Sequence, residues 1–259
     1  MRTVAATFDK TVSGVVDFVE LTNAVFDLAR IDTAHLAAQN GFQEISIVQV
    51  KARALPGRTS VALEGAFLSN CAHYELAVRD LIEAFISQVS TKLTAFHHIP
   101  RAIRDWHPRG CAKIMLELER DKFQHLTADT ITKAISSCET ASIKAPYRFL
   151  LDAFSAHERN LSANVVEDML ARRLGIDKIW QRLSHRPEME SYFGTNNHEM
   201  LERLSRSRLD DLIQRRNGII HRGRATYAIS QTELVEASTF LRVLITSLAE
   251  IMTAVLAAL

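Results

Sequence analysis

Apolar positions recur along most of this chain at three- and four-residue spacings, the pattern of helices that bury one face. From Ser60 to Leu93 the residues Leu63, Phe67, Cys71, Tyr74, Val78, Leu81 and Phe85 fall on one stripe, which predicts a long central helix with Glu75 at the edge of that stripe. An earlier helix is expected from Thr11 to Arg30, with Val12, Val15, Val16, Val19, Val25 and Phe26 at its apolar positions. Glu44 to Val50 alternates and is β-branched, which suits a strand, but a lone strand without a partner is out of keeping with the rest of the chain, so helix is preferred there. Pro56-Gly57 then breaks the pattern.

Further along, Pro100 and Pro108 interrupt the chain, after which helices are expected over Lys113 to His125 and Thr127 to Thr140. Pro146 opens another to about His157. Asn164 with Glu167 marks a helix start and Leu174-Gly175 a stop, while Pro187 to Asn197 reads as the most polar break. A helix from about Glu199 reaches Gly223. The capping box Ser230-Gln231-Thr232-Glu233 then starts a final helix running to Ala258. The expected fold is all-α, a helical bundle over residues 58–259 preceded by a helical extension over residues 1–57 that packs on it.

Composition agrees with helix. The 259 residues are 47% hydrophobic and 24% charged, with only 9 Gly and 5 Pro. A formal net charge of +1 supplies no global field for nucleic acid, so any RNA binding has to be local. The distribution is more telling: Arg203, Arg206, Arg208, Arg215, Arg216, Arg222 and Arg224 crowd into one segment. Arginine's flat donor fork suits phosphate oxygens, although Glu202, Asp210 and Asp211 nearby equally allow a solvated helix face. Cys71, Cys111 and Cys138 are odd in number and widely spaced, which argues against a disulfide framework or a zinc site and for a reducing compartment. No secretory signal is evident, and Arg242 and Glu250 break the apolar C-terminus, so a cytoplasmic protein without membrane contact is expected. His97-His98, His107, His125 and His157 are not in metal-ligand register, and neither a phosphate-cradling glycine loop nor a nucleophile elbow occurs. No metal or cofactor is expected.

The most informative segment is Arg216-Asn217-Gly218-Ile219-Ile220-His221-Arg222-Gly223. On one helix Leu209, Leu212, Ile213, Ile219 and Ile220 form a single apolar stripe, and Arg216 falls near its middle. A guanidinium among leucines is costly unless a carboxylate, a phosphate or a second copy of the protein meets it, and Glu75 is the first carboxylate candidate. Asn217 and His221, four apart, share the flank beside it. Spacing alone does not single out this pair, because Arg30 with His35 and Arg120 with His125 repeat it. The distinguishing features are the Asn after the Arg, the Gly two after the His, and the position in the second-last helix.

With those features the segment resembles the Arg-Asn-xxx-His motif of HEPN domains. His73-Tyr74-Glu75-Leu76-Ala77-Val78-Arg79-Asp80-Leu81-Ile82 is similar to the early helix of the RiboL-PSP type of that superfamily, and Glu158-Arg159-Asn160-Leu161 through Leu174-Gly175-Ile176 to its middle. The resemblance covers about Ser60 to Leu259. It implies an all-α HEPN-like bundle that dimerises with two motifs facing each other, and metal-independent RNA cleavage in toxin-antitoxin, abortive-infection or other antiviral systems, with an antitoxin or defence-complex protein as a further partner. Some members are silent binding modules. Members paired with a nucleotidyltransferase antitoxin carry a tyrosine two after the histidine; this chain has Gly223, so the resemblance does not extend to that form of regulation.

Metal-free cleavage needs a base for the ribose 2′-OH, stabilisation of the phosphorane and an acid for the leaving 5′-oxygen. His221 suits the proton work because imidazole titrates near neutrality. Arg216 suits the non-bridging oxygens, and Asn217 would orient the histidine or the phosphate. Arg215, Arg222 and Arg224 are the candidates for neighbouring RNA phosphates. One histidine cannot readily act as both base and acid, so a homodimer meeting at this helix would complete the site and leave a 2′,3′-cyclic phosphate. The rival expectations are a catalytically inactive HEPN module that binds RNA or a nucleotide or scaffolds a complex, and a purely structural Arg216–Glu75 pair.

Overall fold

A computed structural model describes residues 1–30, 50–51, 58–141, 146–156, 160–222 and 228–259. Among these there is no strand, and the ten principal helices are α1 (Arg2–Arg30), α2 (Arg58–Lys92), α3 (Arg101–Leu116), α4 (Ala128–Glu139), α5 (Asp152–Ser155), α6 (Ala163–Asp168), α7 (Ile179–Ser184), α8 (Pro187–Phe193), α9 (His198–Arg222) and α10 (Gln231–Ala258). The expected all-α fold is therefore observed. The segment weighed between strand and helix lies outside the described residues up to Gln49.

The core is a layer of α1, α2 and α10, with α9 packed across α2 and onto α6, α7 and α8. Helix α2 buries Phe67, Cys71, Tyr74, Val78, Leu81 and Phe85, the stripe expected from their spacing. Helix α1 starts at Arg2, earlier than the valine pattern suggests, because Met1 and Phe8 are buried along with Val12 and Val19. Helix α10 begins at the complete capping box, in which Ser230 Oγ accepts from the Glu233 backbone N–H and Glu233 accepts from that of Ser230. By length and hydropathy alone α10 could cross a bilayer, yet half of its most apolar window is buried inside the fold. Its two interrupting charges are both paired, Arg242 with Asp9 of α1 and Glu250 with Arg186.

Three expectations from periodicity are corrected. Helix α3 runs through Pro108 and ends at Leu116, so Lys113 to His125 is not one helix: Glu117 leaves helical geometry and only a 3-10 turn, Asp121–Phe123, follows. Pro146 does not open a helix, since residues 146–150 are irregular and the helical part is confined to Asp152–Ser155. The polar stretch after Pro187 is largely helical, because proline fits the first helical position, Glu188 and Glu190 suit the first turn, and Met189 is fully buried. Gly194 ends that helix in left-handed geometry, and Gly175 does so after Arg173, as expected of the latter.

Helix α3 meets α5 through two close contacts. A Cβ on Gly110 would lie 2.3 Å from the Ala153 carbonyl oxygen, which also accepts from Trp106 Nε1 at 2.8 Å. Nearby, His107 is 1% exposed and accepts at Nε2 from the Leu150 backbone N–H at 3.0 Å, so the neutral ring carries its proton on Nδ1, 3.5 Å from Cys138 Sγ. Burial pushes His107 down to about 4 and the neighbouring Cys111 thiol up to about 12.

Two predictions follow from these contacts. Gly110→Ala has no room without separating α3 from α5, and urea unfolding is expected to show a loss of about 1 to 3 kcal/mol; an unchanged midpoint would refute the close packing. His107 binds its proton more readily unfolded than folded. Its stabilising contribution is thus complete above the ordinary value of 6.5 and falls away as pH drops toward 4. Between pH 7.5 and pH 5 the loss from this one group is roughly 2 kcal/mol, and the pH slope of stability should be shallower in His107→Gln than in the wild type.

Candidate active site

Helix α9 carries Arg216 on its buried side. Leu209, Leu212 and Ile213 are sealed in the core, Ile219 is half-buried, and Ile220 at the far end of the stripe is 48% exposed. The stripe thus leaves the core in the last turn, and Arg216 sits where it does so. Its side chain is 22% exposed and that of Glu75, on α2, is 19% exposed, with Nη2 and Oε2 3.9 Å apart. Arg216 Nη1 donates to Asn160 Oδ1 at 2.5 Å and to Asn217 Oδ1 at 3.2 Å, and Asn160 Nδ2 donates to the same Asn217 oxygen at 2.6 Å. The guanidinium is therefore held more closely by two neutral amides than by the carboxylate. Glu75 Oε1 is enclosed without a hydrogen-bond partner among the described residues.

Asn160 is the member of this cluster that periodicity does not reveal. It lies in an irregular stretch, and its place is fixed by its neighbours: the buried Tyr74 hydroxyl donates to the Leu161 carbonyl at 3.1 Å, Asp210 Oδ1 accepts from the Ala163 N–H at 2.8 Å, and Trp180 Nε1 donates to the Ala163 carbonyl at 3.2 Å. Its only trace in the sequence is the likeness of the Glu158-Arg159-Asn160-Leu161 segment to the middle of the HEPN pattern. Tyr74 is one position from Glu75 on α2, so the same turn that presents the carboxylate anchors the loop bearing Asn160.

His221 is exposed near the end of α9. A spacing of four places it on the flank of Asn217, whereas a spacing of five on a continuous helix sets it about 140° around the axis from Arg216. Arg216, Asn217 and Glu75 are thus brought together in one chain, with His221 standing on the open side. Arg215 turns the other way and donates to Glu233 at 2.6 Å. Burial aside, that contact helps hold the Glu233 carboxyl below its usual range, the larger cause being the Ser230 backbone N–H. Only the backbone of Arg222 is described, and Arg224 and Gly223 lie outside the described residues.

Electrostatics temper the arginine cluster. Arg206 pairs with Glu167 at 2.8 Å and Arg208 with Glu236 at 3.6 Å, so several of the carboxylates come from other helices rather than from neighbours in sequence. Beside Arg216, burial pushes the Cys71 thiol up to about 12 despite the guanidinium, which leaves it protonated and unsuited to nucleophilic work. Of the two competing pairs, Arg120 is taken by Glu117 at 3.1 Å and His125 by Asp152 at 3.2 Å, while His35 lies outside the described residues. Among the described residues no cluster of His, Cys, Asp and Glu is arranged to hold a metal ion.

The RiboL-PSP-HEPN family model matches residues 42–254. The chain belongs to that family. The matched span runs from before α2 into α10, with α1 lying ahead of it, and membership points to RNA-related, nuclease-type chemistry. No curated protein and no solved structure matches the chain.

The polar cluster generates a test of its own. Asn160→Ala deletes the acceptor for Arg216 Nη1 and the donor to Asn217, and a loss of about 1 to 2 kcal/mol is expected in thermal or urea unfolding. Glu75→Gln, which keeps shape while removing charge, is expected to cost less than Asn160→Ala, because the amide contacts are closer. The opposite order would show that the long ion pair, not the asparagine clamp, seats the guanidinium.

Proposed function

We propose that this HEPN protein is a metal-independent endoribonuclease that acts as a homodimer. The observation that carries the reading is Arg216 and Asn217 clamped by Asn160 while His221, on the Asn217 flank, remains open to solvent beside the exposed Ile220. An exposed histidine and an apolar residue at the end of a core stripe suit contact with a second copy. Two copies meeting there would oppose two Arg216-Asn217-His221 sets across one cleft.

In such a cleft one His221 takes the proton of the ribose 2′-OH. The 2′-oxygen attacks phosphorus, the bond from phosphorus to the 5′-oxygen breaks, and the second His221 protonates that leaving oxygen. Arg216, preorganised by Asn160, meets the negative charge growing on the non-bridging oxygens. The products are a 2′,3′-cyclic phosphate and a 5′-hydroxyl. Because Arg206, Arg208 and Arg215 are already paired, phosphate binding concentrates at this cleft, with Arg222 and Arg224 as flanking contacts. A cytoplasmic toxin or antiviral effector, held in check by a partner protein, is the biological role that fits this chemistry.

One observation favours a second reading. Arg216 is engaged within its own chain by Glu75 and two amides, which is also how a catalytically silent RNA-binding module would store it. The two readings separate in one experiment: purified protein is incubated with total RNA in EDTA beside the His221→Ala variant. Cleavage with cyclic-phosphate ends, lost by at least about a hundredfold in the variant, is expected, since one general acid-base group contributes on that order. The exposed side chain leaves thermal stability nearly unchanged. RNA binding without cleavage by the wild type supports the silent module instead.

A further inference from the structure

Away from α9, a cavity of about 420 Å³ opens between α3, the 3-10 turn, α5 and α6. Its volume is in the range of small-molecule sites. Ile114, Phe123, Val165 and Met169 give it an apolar wall, and the polar side mixes the cations Lys113, Lys122 and Arg173 with the carboxylates Glu117 and Asp168. The cavity borders Gly110, whose missing Cβ permits the tight α3–α5 contact described above.

Arg173 is the unusual member. It is 8% exposed and ends a single π-helical turn, Met169–Arg173, that continues α6. Such turns cost regular hydrogen bonding and occur disproportionately at functional positions, here aiming a cation back toward α3 and α5. Nη1 donates to the Phe154 and Ala156 carbonyls, both at 2.7 Å, and the guanidinium lies 4.9 Å from the Trp106 ring centre. Nε is enclosed without a hydrogen-bond partner among the described residues. Nη2 makes no hydrogen bond among them either, yet it is not one of the enclosed unpartnered atoms. Among the described residues no carboxylate lies within ion-pair distance of Arg173 or of Lys113, whose ammonium sits 5.1 Å from the same Trp106 ring.

The nearby acids are already engaged, Glu117 with Lys122 at 3.0 Å and Asp168 with Arg172 at 2.6 Å. Burial lowers Arg173 to about 10, outweighing the nearby Asp168 carboxylate, which pulls the other way. A nine-tenths buried guanidinium held by carbonyls and an indole face, with Asp168 near but not within ion-pair distance, is costly for a bundle that could place leucine there. An incoming anion offsets that cost, and the apolar wall recognises what the anion is attached to.

We propose that this cavity binds a small oxyanion, carboxylate or phosphate, carried on an apolar or aromatic body, with Arg173 and Lys113 meeting the anion and Ile114, Phe123, Val165 and Met169 enclosing the body. The site is independent of the ribonuclease reading, since none of its residues belongs to the Arg216 cluster. It also comes with a reporter, because the chain has only two tryptophans, Trp106 in the cavity and the fully buried Trp180.

The test is titration of the full-length protein, followed by tryptophan emission, with phenyl phosphate, benzoate, inorganic phosphate and the uncharged benzyl alcohol. Saturable quenching by phenyl phosphate or benzoate is expected, absent in Trp106→Phe, with the stronger of the two naming the anion's chemistry. Inorganic phosphate and benzyl alcohol should each bind at least about tenfold more weakly, since each lacks one half of the recognition. Lys113→Met, an exposed substitution that leaves the fold intact, should weaken binding by about tenfold, and Arg173→Lys by more. Absence of saturable quenching, equal binding of benzyl alcohol, or unchanged affinity in Lys113→Met would each overturn the proposal.

Discussion

A guanidinium placed at the point where an apolar stripe leaves the core sets the terms for the rest of this fold. Arg216 cannot be left among Leu209, Leu212 and Ile213 without donors being satisfied, and the answer is assembled from three separate stretches of chain. Helix α2 brings Glu75, α9 brings Asn217, and the irregular segment before α6 brings Asn160. None of the three is useful unless the other two are in register. Tyr74, Asp210 and Trp180 are the parts that keep them so, each spending its polar group on the short run from Leu161 to Ala163. The clamp is mostly neutral, which fits a cation that is held in place yet retains the capacity to meet phosphate.

The layer beneath gives that clamp a rigid base. Helices α1, α2 and α10 pack together, and Asn70 on α2 donates to Ser238 on α10 at 2.7 Å inside the core. Helix α1 stands before the residues matched by the family, yet it contributes Phe8, Val12 and Val19 to the same apolar cluster and Asp9 to a pair with Arg242. An apolar face on α2 and α10 is thereby covered within the chain. The end of α9, with exposed Ile220 and His221, has no such cover among the described residues.

The molecule thus seats two arginines in different ways. Arg216 has amides and a carboxylate around it and lies in the span that defines the family. Arg173 is held directly by carbonyls and an aromatic face, with Asp168 acting only from beyond ion-pair distance, and the π turn that delivers it is a local departure from the helix on which it sits. A cation with a carboxylate in reach has much of its charge balanced from within. One whose carboxylate stands beyond ion-pair distance keeps more of its charge unbalanced, which is the physical difference between the two arginine sites.

Helix existence and the identity of buried faces were legible in the sequence, because α2, α9 and α10 are long enough for many apolar positions to agree, and because caps such as Ser230 with Glu233 are local chemistry. The same held for Arg216 as an arginine out of place, for Asn217 beside it and for Glu75 as a neighbour, since a four-residue rhythm puts each on a known face. Prolines misled: Pro108 lies inside a helix, Pro146 starts none and Pro187 begins one, because proline constrains its own backbone while packing of α3 and α8 decides whether the helix continues. Asn160, the turning of Arg215 to Glu233 and the cavity around Arg173 were settled only by the tertiary structure. They depend on which segments far apart in the chain come within 3 Å of each other, and periodicity along one helix contains no information about that distance.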